Sequence, residues 1–301
     1  MRLYIAGMYT NGTADRQGRL FTELMNDDER RIVNAVRYQL ESYHYVKNEE
    51  RVQVMRRDGA KVFLDSGAFS AFTLGKEIDL DAYCRYIRDN RDIIDVASVL
   101  DGIGDPLKTY QNQCAMEANG VDALPCFHWG EDERYLEYYI EKYPYITLGG
   151  MVPHSSQENR QWLDHIFSKY ICDANGRPKL KVHGFGMTSI PLMTRYPWYS
   201  VDSSSWVQIA FRGAVILPGI GAVHLSSNSP ARKVANSHLD NVTPMHREAL
   251  VAILQKRGFD WKRLADVYIS RWVFNIDTFD IICRGLEDKE LKFVAEQMSI
   301  F

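Results

Sequence analysis

The chain has 301 residues, 46% of them hydrophobic and 25% charged, which is enough apolar material for a substantial core. Its formal charge of −3 argues against a protein that coats nucleic acid by bulk electrostatics. No apolar run approaches the roughly 20 residues that cross a bilayer, so no membrane partner is expected. The opening MRLYIAGMYTNG reads as a first strand rather than a signal peptide, which sets a cytoplasmic protein as the expectation. Strand-like runs then recur at 61–65, 94–101, 123–129, 145–150, 179–186 and 199–203, with GAVILPG at 213–219 as the eighth. Helix-like segments separate them at 27–41, 79–91, 105–119, 131–142, 155–169 and 188–195, with Asp79, Asp105 and Ser155 placed as N-caps. This alternation predicts an α/β fold, a (β/α)8 TIM barrel spanning 1–301 as one domain. Helices at 244–257, 260–270 and 286–298 would make residues 230–301 a helical C-terminal region packed on it.

The five cysteines, Cys84, Cys114, Cys126, Cys172 and Cys283, are widely spaced, and no pair has CxxC or CxC spacing. Buried free thiols are therefore expected, not a disulfide framework or a locally encoded zinc site. No spacing demands a metal or other cofactor, although His and Cys from distant segments could still meet to hold zinc. Between Pro230 and Arg284 nine Lys or Arg face six acids, a local +3 against −6 elsewhere. A phosphate-contacting face would fit that imbalance, but on charge alone an ordinary solvated helical surface is the better account.

In a barrel of this kind the active site forms at the carboxyl ends of the strands. Those positions hold Asp65-Ser66-Gly67, Asp101-Gly102, His128-Trp129-Gly130, Gly149-Gly150-Met151, His183-Gly184 and Asp202-Ser203. Any one of the acids could be no more than a helix N-cap. Three on separate strands, with two imidazoles and with glycines that admit close backbone approach, point to a site. Two carboxylates without a metal motif suit glycosidic-bond chemistry, one at the anomeric carbon and one at the leaving group's proton. The chemical competitor is metal-dependent hydrolysis with Asp65, Asp101, His128, His183 and Asp202 as ligands, and no HxH or HExxH spacing supports it.

FLDSGAFSAF (63–72), SVLDGIGDP (98–106), TLGGMV (147–152), VHGFGM (182–187) and YSVDSSSW (199–206) together resemble motifs of the guanine transglycosylase family. The resemblance covers roughly residues 60 to 210 and is nearest to the branch that inserts 7-deazaguanines into phage or bacterial DNA. It implies that Asp202 attacks C1′ and holds a covalent intermediate, while Asp65 serves as general acid and base. It further implies a base site made of Ser66, Phe69, Asp101, His128, Gly149, Gly150, Met151 and His183, with Phe69 stacking on the purine and Asp101 on its Watson–Crick edge. His128 stands where the tRNA enzymes carry Gln, and His183 where they often carry Met. The C-terminal CxCxxC-plus-His zinc site of the tRNA enzymes has no counterpart, since Cys283 is alone in the last hundred residues. That departure favours DNA over tRNA as the polymer. Arg232, Lys233, Arg247, Lys256, Arg257, Lys262 and Arg263 then become the expected phosphate contacts. The implied partners are DNA, a 7-deazaguanine base and accessory DNA-modification proteins, in a host cytoplasm if the gene is a phage's. Exchange on tRNA and a non-catalytic nucleic-acid-binding homologue are the alternatives. A target base in duplex DNA would have to leave the stack, with Tyr9, Phe69, Phe72, Trp129, Phe185, Trp198 and Trp206 as aromatics near the rim. Core packing is the expected role for all of these but Phe69.

Overall fold

Short β-branched and apolar runs alternating with amphipathic segments form a parallel sheet with helical crossovers. The structure is a computed structural model describing residues 1–11, 24–152, 154–187, 189–287 and 291–294. The chain divides into two compact units: Met1–Asn11, Arg37–Ser203 and Leu286–Phe301 in the first, Gly12–Val36 and Ser204–Gly285 in the second.

The first unit is built on β1 (Arg2–Ala6), β2 (Gln39–Ser42), β3 (Val62–Asp65), β4 (Ile94–Ala97), β5 (Cys126–His128), β6 (Tyr145–Gly149), β7 (Lys181–Gly184) and β8 (Ser200–Ser203). They form one curled, all-parallel sheet in the order β4-β3-β2-β1-β8-β7-β6-β5. Just past β4, Ser98 makes a parallel bridge to Leu124, which lies just ahead of β5. There the Leu124 N–H donates to the Ala97 carbonyl at 2.8 Å, and the Val99 N–H donates to the Leu124 carbonyl at 2.9 Å.

The helices of this unit are α1 (Met8–Asn11) and, counting the second unit's α2 (Asp27–Asn34) in chain order, α3 (Tyr43–Val46), α4 (Glu49–Arg57), α5 (Ala68–Thr73), α6 (Leu80–Asp89), α7 (Pro106–Ala118), α8 (Glu133–Lys142), α9 (Ser156–Ile166) and α10 (Ile190–Arg195). Asp79, Asp105 and Ser155 cap α6, α7 and α9 as expected, accepting from the Ala82, Lys108 and Glu158 N–H groups. One core packs Val62, Leu64, Tyr83, Ile87, Val99 and Met116 between strands and helices. A smaller cluster packs Tyr4, Leu40 and Phe63 together.

Two sequence expectations about the sheet require correction. GAVILPG is not the eighth strand of this sheet: Ala214–Leu217 forms β9, paired antiparallel with β10 (Gly221–His224) in the second unit. The missing strand is β2, inside the segment expected to be helical over 27–41. Helix α2 ends at Asn34, and Gln39–Ser42 pairs in parallel with both β1 and β3. The polar residues of QLES hid it, since Glu41 is fully buried. Its carboxylate accepts from the Tyr9 N–H at 2.7 Å, the Thr10 N–H at 3.2 Å and the Thr10 hydroxyl at 2.8 Å, which is what makes an acid tolerable there.

The second unit adds α11 (Ser205–Phe211), α12 (Pro244–Lys256), α13 (Trp261–Asp266) and α14 (Tyr268–Glu287), which runs into the first unit at its last residues. Its own core contains Val215, Leu217, Leu254, Phe259, Val273 and Phe274. The helix expected at 286–298 is not found over residues 291–294, and its other positions beyond 287 lie outside the described residues. Among the described residues no helix is long and apolar enough to cross a membrane.

Candidate active site

The carboxyl ends of the first unit's strands surround a cavity of about 650 Å³, within the ordinary range of small-molecule sites. Asp65, Phe69, Asp101, His128, Gly149, Gly150, Met151 and Asp202 all line it. Trp129, Glu131, Phe185 and Gly186 also contribute to its wall.

Asp65 is the last residue of β3, and the chain turns sharply after it. Gly67 adopts φ +75°, and a Cβ there would stand 2.3 Å from Ser42 Oγ and 2.7 Å from His44 Cβ, so only glycine fits. The Gly67 N–H donates back to Asp65 Oδ2 at 3.0 Å. Ser66 is buried beneath the turn; its N–H donates to Ser98 Oγ at 3.2 Å, and its own Oγ accepts from the Ala68 N–H at 3.3 Å. Ser66 thus shapes the turn and is not among the residues lining the cavity. Burial, reinforced by the negative charges of Asp101 and Asp202, pushes the Asp65 carboxyl up to about 7, against two backbone N–H groups that favour the anion.

Asp202 lies on β8, opposite Tyr4 of β1, and is buried. Its Oδ1 accepts from the Gly186 N–H at 2.8 Å and stands 3.3 Å from His183 Nε2. His183 is fully buried and does not line the cavity. Its Nδ1 is 2.7 Å from Ser200 Oγ, and its ring packs 4.5 Å from that of Phe63 and 4.7 Å from that of Phe185. Burial lowers its pKa, with Asp202 opposing, so a neutral ring supports Asp202 from behind. The sequence placed His183 against the substrate; the fold places it one layer deeper.

His128 closes β5. Its N–H donates to Glu131 Oε2 at 2.9 Å, and its Nδ1 lies 3.1 Å from Glu131 Oε1. Its Nε2 faces Cys126 Sγ at 3.4 Å and Asp101 Oδ1 at 3.7 Å. Burial opposes charge on this ring, but Cys126 and Asp101 outweigh it and hold the pKa well above that of ordinary histidine. Burial pushes the Cys126 thiol up to about 11. Glu131 and Cys126 were not singled out as site residues from the sequence. Their signals were spacing of two along a strand, which puts Cys126 and His128 on one face, and a carboxylate three residues beyond the histidine.

Phe69 is 62% exposed at the cavity's edge, whereas Trp198 and Trp206 are core residues. Phe72 is also exposed, and Trp129 and Phe185 belong to the cavity wall. The seven basic residues expected at phosphates all lie in the second unit. Arg257 is paired with Asp277 and Arg263 with Glu29, so these two are structural. Arg232 and Arg247 flank Asp240 at 3.5 and 3.6 Å. Lys233, Lys256 and Lys262 have no ion pair among the described residues. No model of a known protein family matches this chain, and no curated protein matches it either.

Proposed function

We propose that the chain is a base-exchange transglycosylase that replaces guanine in DNA by a 7-deazaguanine, through a covalent Asp202–deoxyribose intermediate. We also read the curled sheet as a closed (β/α)8 barrel, its seam carried by the Ser98–Leu124 bridge. The observation that supports the chemistry best is the contrast between two carboxylates lining one cavity. Asp65 holds a proton to about pH 7, while Asp202 accepts a backbone N–H and is backed by a neutral histidine. Paired acids with environments this different are suited to divided roles.

On this reading the Asp202 carboxylate attacks C1′ as the C1′–N9 bond breaks, and Asp65 delivers its proton to the departing guanine. The incoming deazaguanine then returns a proton to the Asp65 carboxylate as its ring nitrogen attacks C1′ and expels Asp202. The cavity is large enough for a flipped purine, and Phe69 offers an exposed ring at its edge. The choice of DNA rests on the resemblance of the five motifs to that branch of the family. Lys233, Lys256 and Lys262, which make no ion pair among the described residues, are the candidates to meet phosphates.

The test incubates the purified chain with duplex DNA, and in parallel with bulk tRNA, plus radiolabelled guanine or 7-cyano-7-deazaguanine. Label is expected in DNA and lost in Asp202→Ala. Label in tRNA alone would retain the chemistry and overturn the polymer; label in neither, with a folded protein, would favour a binding homologue.

A further inference from the structure

We propose that Asp101, Cys126 and His128 form a binding site for one zinc-class divalent cation, with its remaining coordination position open to the cavity. The strand alternation of β5 places Cys126 and His128 on one face, and the loop after β4 brings Asp101 across to them. One ligand atom from each residue lies within 4.8 Å of the other two. The two edges that meet at His128 are short: Nε2 to Sγ is 3.4 Å and Nε2 to Oδ1 is 3.7 Å. Tetrahedral zinc with bonds of about 2.0–2.3 Å sets neighbouring ligand atoms about 3.4–3.6 Å apart. Both edges therefore match a metal polyhedron to within a few tenths of an ångström.

Three further observations fit a cation. Glu131 engages His128 Nδ1 at 3.1 Å and the His128 N–H at 2.9 Å, an arrangement that fixes the ring and leaves Nε2 for a metal. Asp101 Oδ1 is buried and has no hydrogen-bond partner among the described residues, a costly state that coordination would relieve. Gly149 faces the cluster, and a Cβ there would lie 2.9 Å from His128 Cδ2 and 3.2 Å from Cys126 Sγ. Its bare backbone leaves the ligand side chains their room. Thiolate and imidazole together select zinc or cobalt over magnesium or calcium. Asp101 and His128 line the cavity, so the vacant coordination position opens onto it. On binding, the Cys126 thiol releases its proton to solvent as the metal–sulfur bond forms, with no change of oxidation state.

The inference does not depend on base exchange, and its test contains neither nucleic acid nor base, so the two readings fail separately. The full chain, stripped with chelator, is titrated with Co2+ and followed by absorption spectroscopy. One equivalent is expected to bind with a thiolate-to-cobalt charge-transfer band, and Zn2+ should displace it. The band should vanish in Cys126→Ala and weaken with affinity in Asp101→Asn, while Glu131→Gln should lower affinity about 10–100-fold. Zn2+ should also raise the melting temperature of the unmutated chain. That readout keeps the idea open to refutation if a variant fails to fold. Absence of stoichiometric Co2+ and of a Zn2+-dependent melting shift in the unmutated chain would overturn the site. So would a charge-transfer band that survives in folded Cys126→Ala, since it would assign the metal to another cysteine.

Discussion

At Asp65 the demands of folding and of chemistry pull in opposite directions. The folded chain holds this proton up to about pH 7, whereas an unfolded aspartate releases it near 3.8. The stability tied to the group is therefore complete below pH 3.8 and is lost as pH rises through 7. Asp65→Asn should remove that loss, with a gain of at most about 4 kcal/mol at pH 8 and none near pH 4. Denaturant unfolding at the two pH values would show it, and an equal effect at both would refute the electrostatic account. If the proposed base exchange is the reaction, the same substitution should lower it about a hundredfold or more, because the leaving guanine loses its proton donor. On the same proposal, single-turnover release of guanine by the unmutated chain should fall about tenfold per pH unit above 7, as the donor form is depleted. The acid itself was legible from its place at the end of a strand. Its raised pKa was not, because that depends first on burial in the folded chain and then on Asp101 and Asp202 arriving from elsewhere in the sequence.

Among the elements, the turns at the strand ends were the most readable and β2 the least. The DSGAF segment advertised a tight turn, and the structure shows why its glycine is required. Gly67→Ala would force a residue with φ +75° against Ser42 and His44, at a cost of about 1–3 kcal/mol. Because the Gly67 N–H also bonds Asp65, thermal melting and base exchange should decline together; a melting loss with full activity would show that the turn does not position the acid. β2 escaped because apolar periodicity is the main sequence signal for a strand, and Glu41 occupies a buried position on it. Its three hydrogen-bond donors belong to residues some thirty positions earlier, a satisfaction that no local pattern encodes. The 213–219 run failed in the opposite sense. Four buried residues, Ala214–Leu217, look the same in an antiparallel hairpin as in a parallel sheet, and only the partner strand decides between them.

For the whole molecule, the division into two units has a measurable correlate. Asn275 is fully buried in the second unit, where its Oδ1 accepts from the Ile216 N–H at 2.8 Å and its Nδ2 donates to the Trp206 carbonyl at 3.0 Å. It ties α14 to β9 and α11. Asn275→Ala should cost about 2–4 kcal/mol, since it strands buried backbone groups. Hydrogen exchange should then accelerate at 214–217 while 145–149 stays protected; equal acceleration in both would mean that the units open together. The alternation of strands and helices made the first unit's class readable from sequence, because each crossover is local. The boundary was hidden, because Gly12–Val36 joins the second unit from far upstream.

The position of β1 also bears on how the chain is made in a cell. Arg2–Ala6 leaves the ribosome well ahead of Ser200–Ser203, the strand that pairs along one of its two edges. At about 5–20 residues per second, nearly two hundred further residues take about 10–40 s to synthesise. Throughout that interval the first strand presents an unfilled edge to every neighbouring nascent chain. Its successful maturation is thus a race between elongation and aggregation, which gives holdase chaperones a natural window at the start of the protein's life.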